Sequence, residues 1–372
     1  MEKLTSHNRQ SGTVIIIVLW TSVLLTILVT AMAGKVRLSA KAASFNQQAS
    51  GQWAQLMAAV NQAEMELMIE NMARPIGEQL EESEEGELRI PAYRFNGQPL
   101  TLNYPQDENF VVRIYNHGGK INLNRIPRRS MQQLIENRLG GPFEADPEQV
   151  QDLLTTWTDW TDLNSLEGIN GAENEYYQSL DQPYFPRNNP ELDTVEEILH
   201  VKGFAELFEG VNLEAAFTIY GNSRALNFNL ATREALQLLP GLDDELIETI
   251  IAYREVEDIS NLSELGEIIP FENFQEVSPW FSTNAGEPIY SVFVYPKAEL
   301  NNNAVQSQPS AEQNENEFDA RLDPVRQAYM EIVEVRSFNS MPLVHQVNPY
   351  GVLPDTAPAR IEEYGIELPQ LD

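Results

Sequence analysis

Between Thr13 and Ala33 the chain reads TVIIIVLWTSVLLTILVTAMA, 21 positions without a charge. At about 1.5 Å per residue, such a helix spans about 30 Å, the hydrocarbon thickness of a bilayer. The leader MEKLTSHNRQSG sets Lys3 and Arg9 against Glu2, and Lys35, Arg37 and Lys41 follow the apolar run. Positive charge on both flanks leaves a weak orientation signal. A secretory signal peptide has a shorter apolar region with a small-x-small cleavage site behind it, whereas this run is full length. The pattern continues as an amphipathic helix through Lys41–Met72, where Phe45, Trp53, Leu56, Met57, Val60, Met65, Leu67 and Met68 stand among polar residues. Pro75 stops it. The expectation is one continuous helix, half in lipid and half outside.

The chain has 372 residues, enough for two domains or three small ones. Its formal charge of −32 repels phosphate backbones, which makes nucleic acid an unlikely partner. There is no Cys, which excludes disulfides, thiol catalysis and Cys-ligated metals. The four His (His7, His117, His200, His345) are scattered, so a His-rich metal site or a Ser-His-Asp device has little to draw on.

Beyond Pro75, the Glu-rich stretch Glu78–Glu87 reads as a solvated turn or loop. Tyr93–Phe95, Leu100–Tyr104 and Phe110–Tyr115 alternate apolar and polar residues and read as strands, with a turn at Asn116–Gly119. From Ile121 to Phe281 the period changes to that of short helices. Strand character returns at Ile289–Tyr295 and Ala328–Phe338, around a polar, Asn- and Glu-rich loop at Asn301–Asp319. A strand-forming region interrupted by helices implies an α+β fold with an inserted helical domain, the flanking segments pairing across the insertion in an antiparallel sheet packed on the N-terminal helix.

The helical block contains two related units. Ile121-Asn-Leu-Asn124 precedes Met131 and Leu134 as Leu226-Asn-Phe-Asn229 precedes Leu236 and Leu239, at an offset of 105. Val150, Leu154 and Trp157 match Leu246, Ile250 and Tyr253 at an offset of 96, which leaves nine extra residues in the first copy around Gly140–Phe143. The second copy, Leu238–Leu265, resembles a helix-hairpin-helix unit, a DNA-binding device. Asn227–Gly266 holds nine acidic residues and two basic ones, a net charge of −7 that argues against phosphate binding.

The most distinctive stretch is Trp157–Asn189, WTDWTDLNSLEGINGAENEYYQSLDQPYFPRNN. Asp159, Asp162 and Asn164 place three oxygen donors in six residues. Gly168 and Gly171 let the chain fold back, so that Glu173 or Glu175 can close a shell. Calcium takes six to eight such oxygens. The EF-hand pattern is absent, and the alternative is a solvated acidic loop. A glycosidase pair is conceivable from the carboxylates, with Trp160, Tyr176, Tyr177 and Tyr184 as a stacking platform. No nucleophile elbow, phosphate loop or dinucleotide fingerprint accompanies it, and the expectation is a protein without catalytic activity. Trp157 and Trp160 read as core.

The short polar leader ending at Gly12 ahead of an apolar helix resembles type IV pilins and the pseudopilins of type II secretion. In that family a prepilin peptidase cuts after the Gly and the new N-terminus is methylated, which implies Thr13 as first mature residue. Ile17 stands where most members carry Glu, and the class that lacks this Glu is the K-type minor pseudopilin. Its signature resembles Asp159-Trp160-Thr-Asp162-Leu-Asn164, Gly171-Ala172-Glu173-Asn174 and Phe185-Pro186-Arg187-Asn188-Asn189, and its lead-in resembles Gly119–Asn124.

The resemblance implies a leader at 1–12, a transmembrane helix at 13–33 and a periplasmic continuation at 34–75. A pilin-like α+β domain would comprise 76–120 and 284–372, and an all-helical insertion with SAM-like or helix-hairpin-helix-like repeats would fill 121–283. It implies calcium in the helical domain, for which Asp159, Asp162, Asn164 and Glu173 are the chosen ligands. It further implies a single-pass protein of the Gram-negative inner membrane with its bulk in the periplasm. There it would initiate and cap the pseudopilus tip with the I-type and J-type minor pseudopilins, beside the major pseudopilin, the inner-membrane secretion platform and the prepilin peptidase. The rival reading is a membrane-anchored periplasmic binding module for DNA or an exoprotein.

Overall fold

The computed structural model describes residues 11–70, 95–100, 110–186, 189–283, 286–296, 327–337 and 340–354. Helix α1 runs unbroken from Ser11 to Glu70, 60 residues. The chain divides into two units between Ala58 and Ala59. In the first, the apolar side chains from Val14 to Met32 all face outward, Trp20 68% exposed. The hydroxyls of Thr21, Thr26 and Thr30 bond back to carbonyls three or four residues upstream, 2.8–2.9 Å away. Such bonds keep polar groups satisfied where water is absent. The helix is long and apolar enough to cross a membrane.

The second unit begins inside α1, where Ala59, Val60, Ala63 and Leu67 are buried at spacings of three and four that share one helical face. Strands β1 (Asn96–Pro99) and β2 (Phe110–Asn116) follow. Next come β3 (Ile121–Asn122), α2 (Arg128–Arg138), α3 (Pro147–Thr161), α4 (Asn174–Gln178), a 3₁₀ turn at Val195–His200, α5 (Phe204–Leu207), α6 (Leu213–Ala216) and β4 (Phe217–Thr218). Then come β5 (Leu226–Asn227), α7 (Arg233–Gln237), α8 (Asp244–Val256), α9 (Leu262–Ile268), α10 (Phe271–Val277) and β6 (Phe281–Ser282), before β7 (Ile289–Pro296), β8 (Gln327–Glu334) and β9 (Leu343–Val352). The strand expected to reach Phe338 leaves the sheet after Glu334. Of the expected Leu100–Tyr104 strand only Leu100 is described, its N–H donating to Val112 O at 2.9 Å. Tyr93, Pro75, Glu78–Glu87 and Asn301–Asp319 lie outside the described residues.

The main sheet has the order β1-β2-β7-β8-β9, every neighbour antiparallel. Strand β2 pairs with β7 from Phe110–Pro296 to Asn116–Tyr290, so the sheet closes across the intervening block as the alternating patterns predict. Period two splits β2 between two faces. Val111 and Tyr115 join Phe293, Met330 and Ile332 in one buried cluster, against which Tyr220 of the helical block packs. The opposite face carries Glu331, whose carboxyl meets that of Glu64 in α1.

The block is not all-helical. Strands β3 and β4 pair in parallel, as do β5 and β6; two-residue ladders are too short to show a period in sequence. Asn116 staples the chain's exit from the sheet to its return. Its Oδ1 accepts from Gly118 N (2.7 Å) and Glu287 N (2.9 Å), and its Nδ2 donates to Glu287 O (2.7 Å). A Cβ on Gly119 would overlap the Leu230 carbonyl, so this close approach requires glycine. Beside it, Lys120 Nζ donates to Glu214 O (2.9 Å) and Ser291 Oγ (3.0 Å), while His117 bridges Thr218 Oγ1 (2.7 Å) and Ser291 Oγ (2.8 Å). These polar bonds join the block to β7.

The two units of the helical block share several side-chain roles. Asn122 and Asn227 each accept from the backbone N–H two residues on. Asn124 brackets Leu192, accepting its N–H and donating to its carbonyl; Asn229 brackets Ile259 in the same way. Asp146 caps α3 and Asp243 caps α8, 97 positions apart. Buried Val150 and Leu154 then match buried Ile247 and Ile251. The offset is therefore 97 rather than 96, and eight extra residues rather than nine lie before α3.

Candidate functional site

The bracketed residues Leu192 and Ile259 are only 67 apart, against 97 for the caps, so the first copy holds 97 − 67 = 30 residues that the second lacks. They fall between the end of α3 and Leu192, which is the carboxylate-rich stretch. The helical frame does not need them, since the second copy folds without them.

The inserted loop is built on Asp159. This residue is 3% exposed near the end of α3, and its carboxylate accepts from Gly168 N (3.1 Å) and Ala172 N (3.0 Å). A Cβ on Gly171 would overlap Asp159 Oδ2, so glycine lets the loop pass this close. From the other side Lys202 Nζ donates to Gly171 O (3.0 Å) and lies 4.8 Å from the Tyr176 ring centroid. Trp157 and Trp160 are core, 7% and 3% exposed. Trp157 stacks on Phe204, and Trp160 meets Tyr177 edge-on.

Asp162 ends α3; its Oδ1 accepts from Asn164 N (3.0 Å) and its Oδ2 from Asn164 Nδ2 (2.7 Å). Asn164 Oδ1 accepts from Leu166 N (2.7 Å). Glu173 is 3% exposed, and neither of its oxygens makes a hydrogen bond of good geometry. Burial pushes its carboxyl above the usual carboxylate range, and the nearby Asp159 and Asp162 push it further; the Asn174 amide partly offsets them.

The sequence-chosen residues thus gather around one loop without forming a ready-made cage. Among the described residues no three His, Asp or Glu side chains stand together closely enough to hold a metal. Asp159 is engaged in holding backbone. The donor chemistry nevertheless fits a hard cation, because a buried carboxylate lacking a hydrogen-bond partner among other carboxylates is costly unless neutralised. Gly12 and Thr13 lie in the first turn of α1, and Arg187 and Asn188 lie outside the described residues.

Sequence reasoning missed the contribution of Asp193–His200. The side chains of Trp160, Tyr184, Phe185, Glu196 and His200 line a cleft of about 330 Å³. In the sequence Trp160 and Tyr184 stand out as aromatics and Phe185 as the start of the Phe185–Asn189 signature, whereas nothing in it ties Glu196 and His200 to them. At the helix-hairpin-helix-like unit, Asp243 Oδ1 accepts from Leu246 N (2.8 Å). A carboxylate already sits where a phosphate would bind.

Residues 119–208 match the family model described as type II secretion system protein K, first domain. The match opens on the Gly119–Asn124 lead-in and covers most of the first copy, including the inserted loop. No curated protein matches the chain. Among solved structures, a chain of the GspK-GspI-GspJ complex from the enterotoxigenic Escherichia coli type 2 secretion system is similar, with TM-score 0.46 and 9% identity, over 82% of this chain and 99% of that one. The helical segment built on Asn122, Asn124 and Asp159 is thus, over residues 119–208, similar to the first domain of type II secretion system protein K.

Proposed function

We propose that the chain is a K-type minor pseudopilin that sits at the tip of a type II secretion pseudopilus, where it initiates and caps assembly for protein export across the outer membrane. The observation that carries this reading is the protein K segment, 119–208, lying between β2 and β7 of an antiparallel sheet in a chain whose N-terminal helix can cross a membrane. In this reading prepilin peptidase cuts between Gly12 and Thr13 and the new terminus is methylated. The helix sits in the inner membrane and the bulk of the chain in the periplasm. Partners are the I-type and J-type minor pseudopilins, the major pseudopilin and the secretion platform. The role is mechanical rather than catalytic. Calcium is held by Asp162, Asn164 and Glu173 with Asp159 behind them, and the partnerless carboxylate of Glu173 supports this.

Ile17 fits a terminal position. An ammonium in lipid or a dry core is expensive unless paired, and a Glu at this place would neutralise the N-terminal amine of a neighbouring subunit. A subunit with no neighbour above it loses nothing by lacking that carboxylate. The expected result is one copy per pseudopilus, at its end. Gold labelling that found the protein repeated along the shaft would refute the proposal.

A further inference from the structure

Charge is divided unevenly along the chain. From Lys3 to Ala63 there are five basic residues, Lys3, Arg9, Lys35, Arg37 and Lys41, and no Asp or Glu. Since Glu2 adds one negative charge, residues 64–372 carry −36 (−32 − 5 + 1). Three of the five cations stand within seven positions, just past the apolar run that ends at Ala33, and all three are exposed on α1. No residue three or four positions from any of them is acidic, so no ion pair forms along the helix. Arg37 and Lys41 are instead a like-charge pair four residues apart, which destabilises a helix in water unless an anion lies between them. The 22 residues after Lys41 are uncharged. Along α1, about 33 Å of helix therefore separates Lys41 from the next carboxylate, several times the Debye length at physiological salt.

Their depth indicates the anion. Arg37 lies four residues past Ala33, about 6 Å along the axis, and each headgroup layer is about 5–7 Å thick. Side chains on a helix lean toward its N-terminus, which here is toward the lipid. Lys41, about 12 Å past Ala33, can thus reach back to the same layer. Below Arg37 the surface is open, since nothing stands within 4 Å of where a Cβ on Gly34 would be. A guanidinium holds two phosphate oxygens in a fork, and an ammonium adds a point charge. We propose that this flank of α1 binds anionic phospholipid headgroups, Arg37 and Lys41 sharing one phosphate and Lys35 attracting a second across the helix. The inference rests on the reading of α1 as a membrane-spanning helix and is independent of the protein K likeness. An acidic segment of a partner protein would meet the same charges, but the depth and the lean of the side chains favour a headgroup.

The test takes the full chain in detergent micelles doped with equal amounts of phosphatidylglycerol and phosphatidylcholine of matched acyl chains, and reads the retained lipid by native mass spectrometry. Phosphatidylglycerol should be retained at least about tenfold over phosphatidylcholine. Arg37→Gln and Lys41→Gln should each lower that ratio about three- to fivefold, the scale of one basic residue at an anionic surface. Replacing Lys35, Arg37 and Lys41 together by Gln should bring it close to one. Arg129→Gln, an exposed cation on α2, should leave it unchanged. Flotation with phosphatidylcholine vesicles tests the anchor separately. A chain that floats yet retains the two lipids equally would overturn this proposal alone, whereas one that does not float would overturn the membrane reading and the proposal with it. An equal loss in Arg129→Gln would reduce the preference to general attraction between charges and overturn the site. Displacement of the lipid by an equal concentration of inorganic phosphate would overturn it in favour of a free-anion site, and displacement by tetraglutamate in favour of an acidic protein segment.

Discussion

At His117 two neighbours decide the protonation state. The Lys120 ammonium has no lone pair, so Ser291 Oγ accepts from it and has its own proton left for His117 Nε2. The other ring nitrogen then carries the hydrogen and donates to Thr218 Oγ1. A second proton on the ring would oppose the Ser291 hydroxyl and sit in a site 2% exposed. Burial, and after it the charge of Lys120, accordingly holds His117 well below the usual histidine range, and burial lowers Lys120 itself to about 8. The unfolded chain takes up a proton below about pH 6.5 that the folded ring refuses, so this residue's contribution to stability is lost as pH falls below that point. His117→Gln keeps one acceptor and one donor but cannot titrate. Denaturant midpoints at pH 7 and pH 5.5 should show a drop in wild type that is smaller in the variant; equal drops would mean that His117 is not the group refusing the proton. None of this was legible in the sequence, where His117 reads as part of a turn, because its partners lie 101 and 174 positions away.

Between elements, the docking of α1 on β8 holds a carboxyl pair whose pH dependence has the opposite sign. Glu64 and Glu331 share a hydrogen bond across the helix–sheet contact, and Tyr329 O–H donates to Glu331 Oε2 at 3.4 Å. Burial first, then the neighbouring Glu64, pushes Glu331 up to about 7, and burial raises Glu64 as well. A folded-state value above the unfolded one means that the native protein binds the extra proton. Its stabilising effect is complete below about pH 4.5 and is lost as pH rises through about 7. Glu331→Gln, neutral at every pH, should leave stability near wild type at pH 5 and raise the melting temperature at pH 8. A variant less stable than wild type at pH 8 would show that the carboxylate is needed there. The elements themselves were largely readable: α1 from its apolar run and its spacing of three and four, and β2, β7 and β8 from their alternation. Strand β9 was not, since LVHQVNPYGV has an exposed pattern and a central Pro that argues against a strand away from an edge. The helix offset was misjudged by one because adjacent apolar positions on a buried helix face are interchangeable to a periodicity argument, whereas the Asp146 and Asp243 caps are not.

Over the whole molecule, two copies of one helical frame are set into a sheet, and only the first carries thirty more residues than that frame requires. The sequence made the loop conspicuous through its oxygen donors. It could not say that Asp159 would be taken up by the amides of Gly168 and Ala172, since those contacts depend on how Gly168 and Gly171 let the chain turn back. Asp159 thus shapes the loop, while Glu173 is left buried without a hydrogen-bond partner and pushed up by burial and by Asp159 and Asp162. A cation that neutralised this loop would bind the folded chain and not the unfolded one, and so stabilise the fold by about 2.7 kcal/mol at a free concentration one hundred times its dissociation constant. Added calcium should therefore raise, and chelator lower, the melting temperature of the full chain in detergent by several degrees. Asp162→Ala should abolish most of that response, because Asp162 bonds within the described residues only to Asn164 and to the backbone that ends α3. The frame provides the internal control: a probe in the second copy, such as fluorescence from a Tyr253→Trp variant, should respond less than one in the loop, such as Tyr184→Trp. Melting that ignores both calcium and chelator would leave the carboxylates as a solvated loop. A response that survives in Asp162→Ala would place the cation elsewhere.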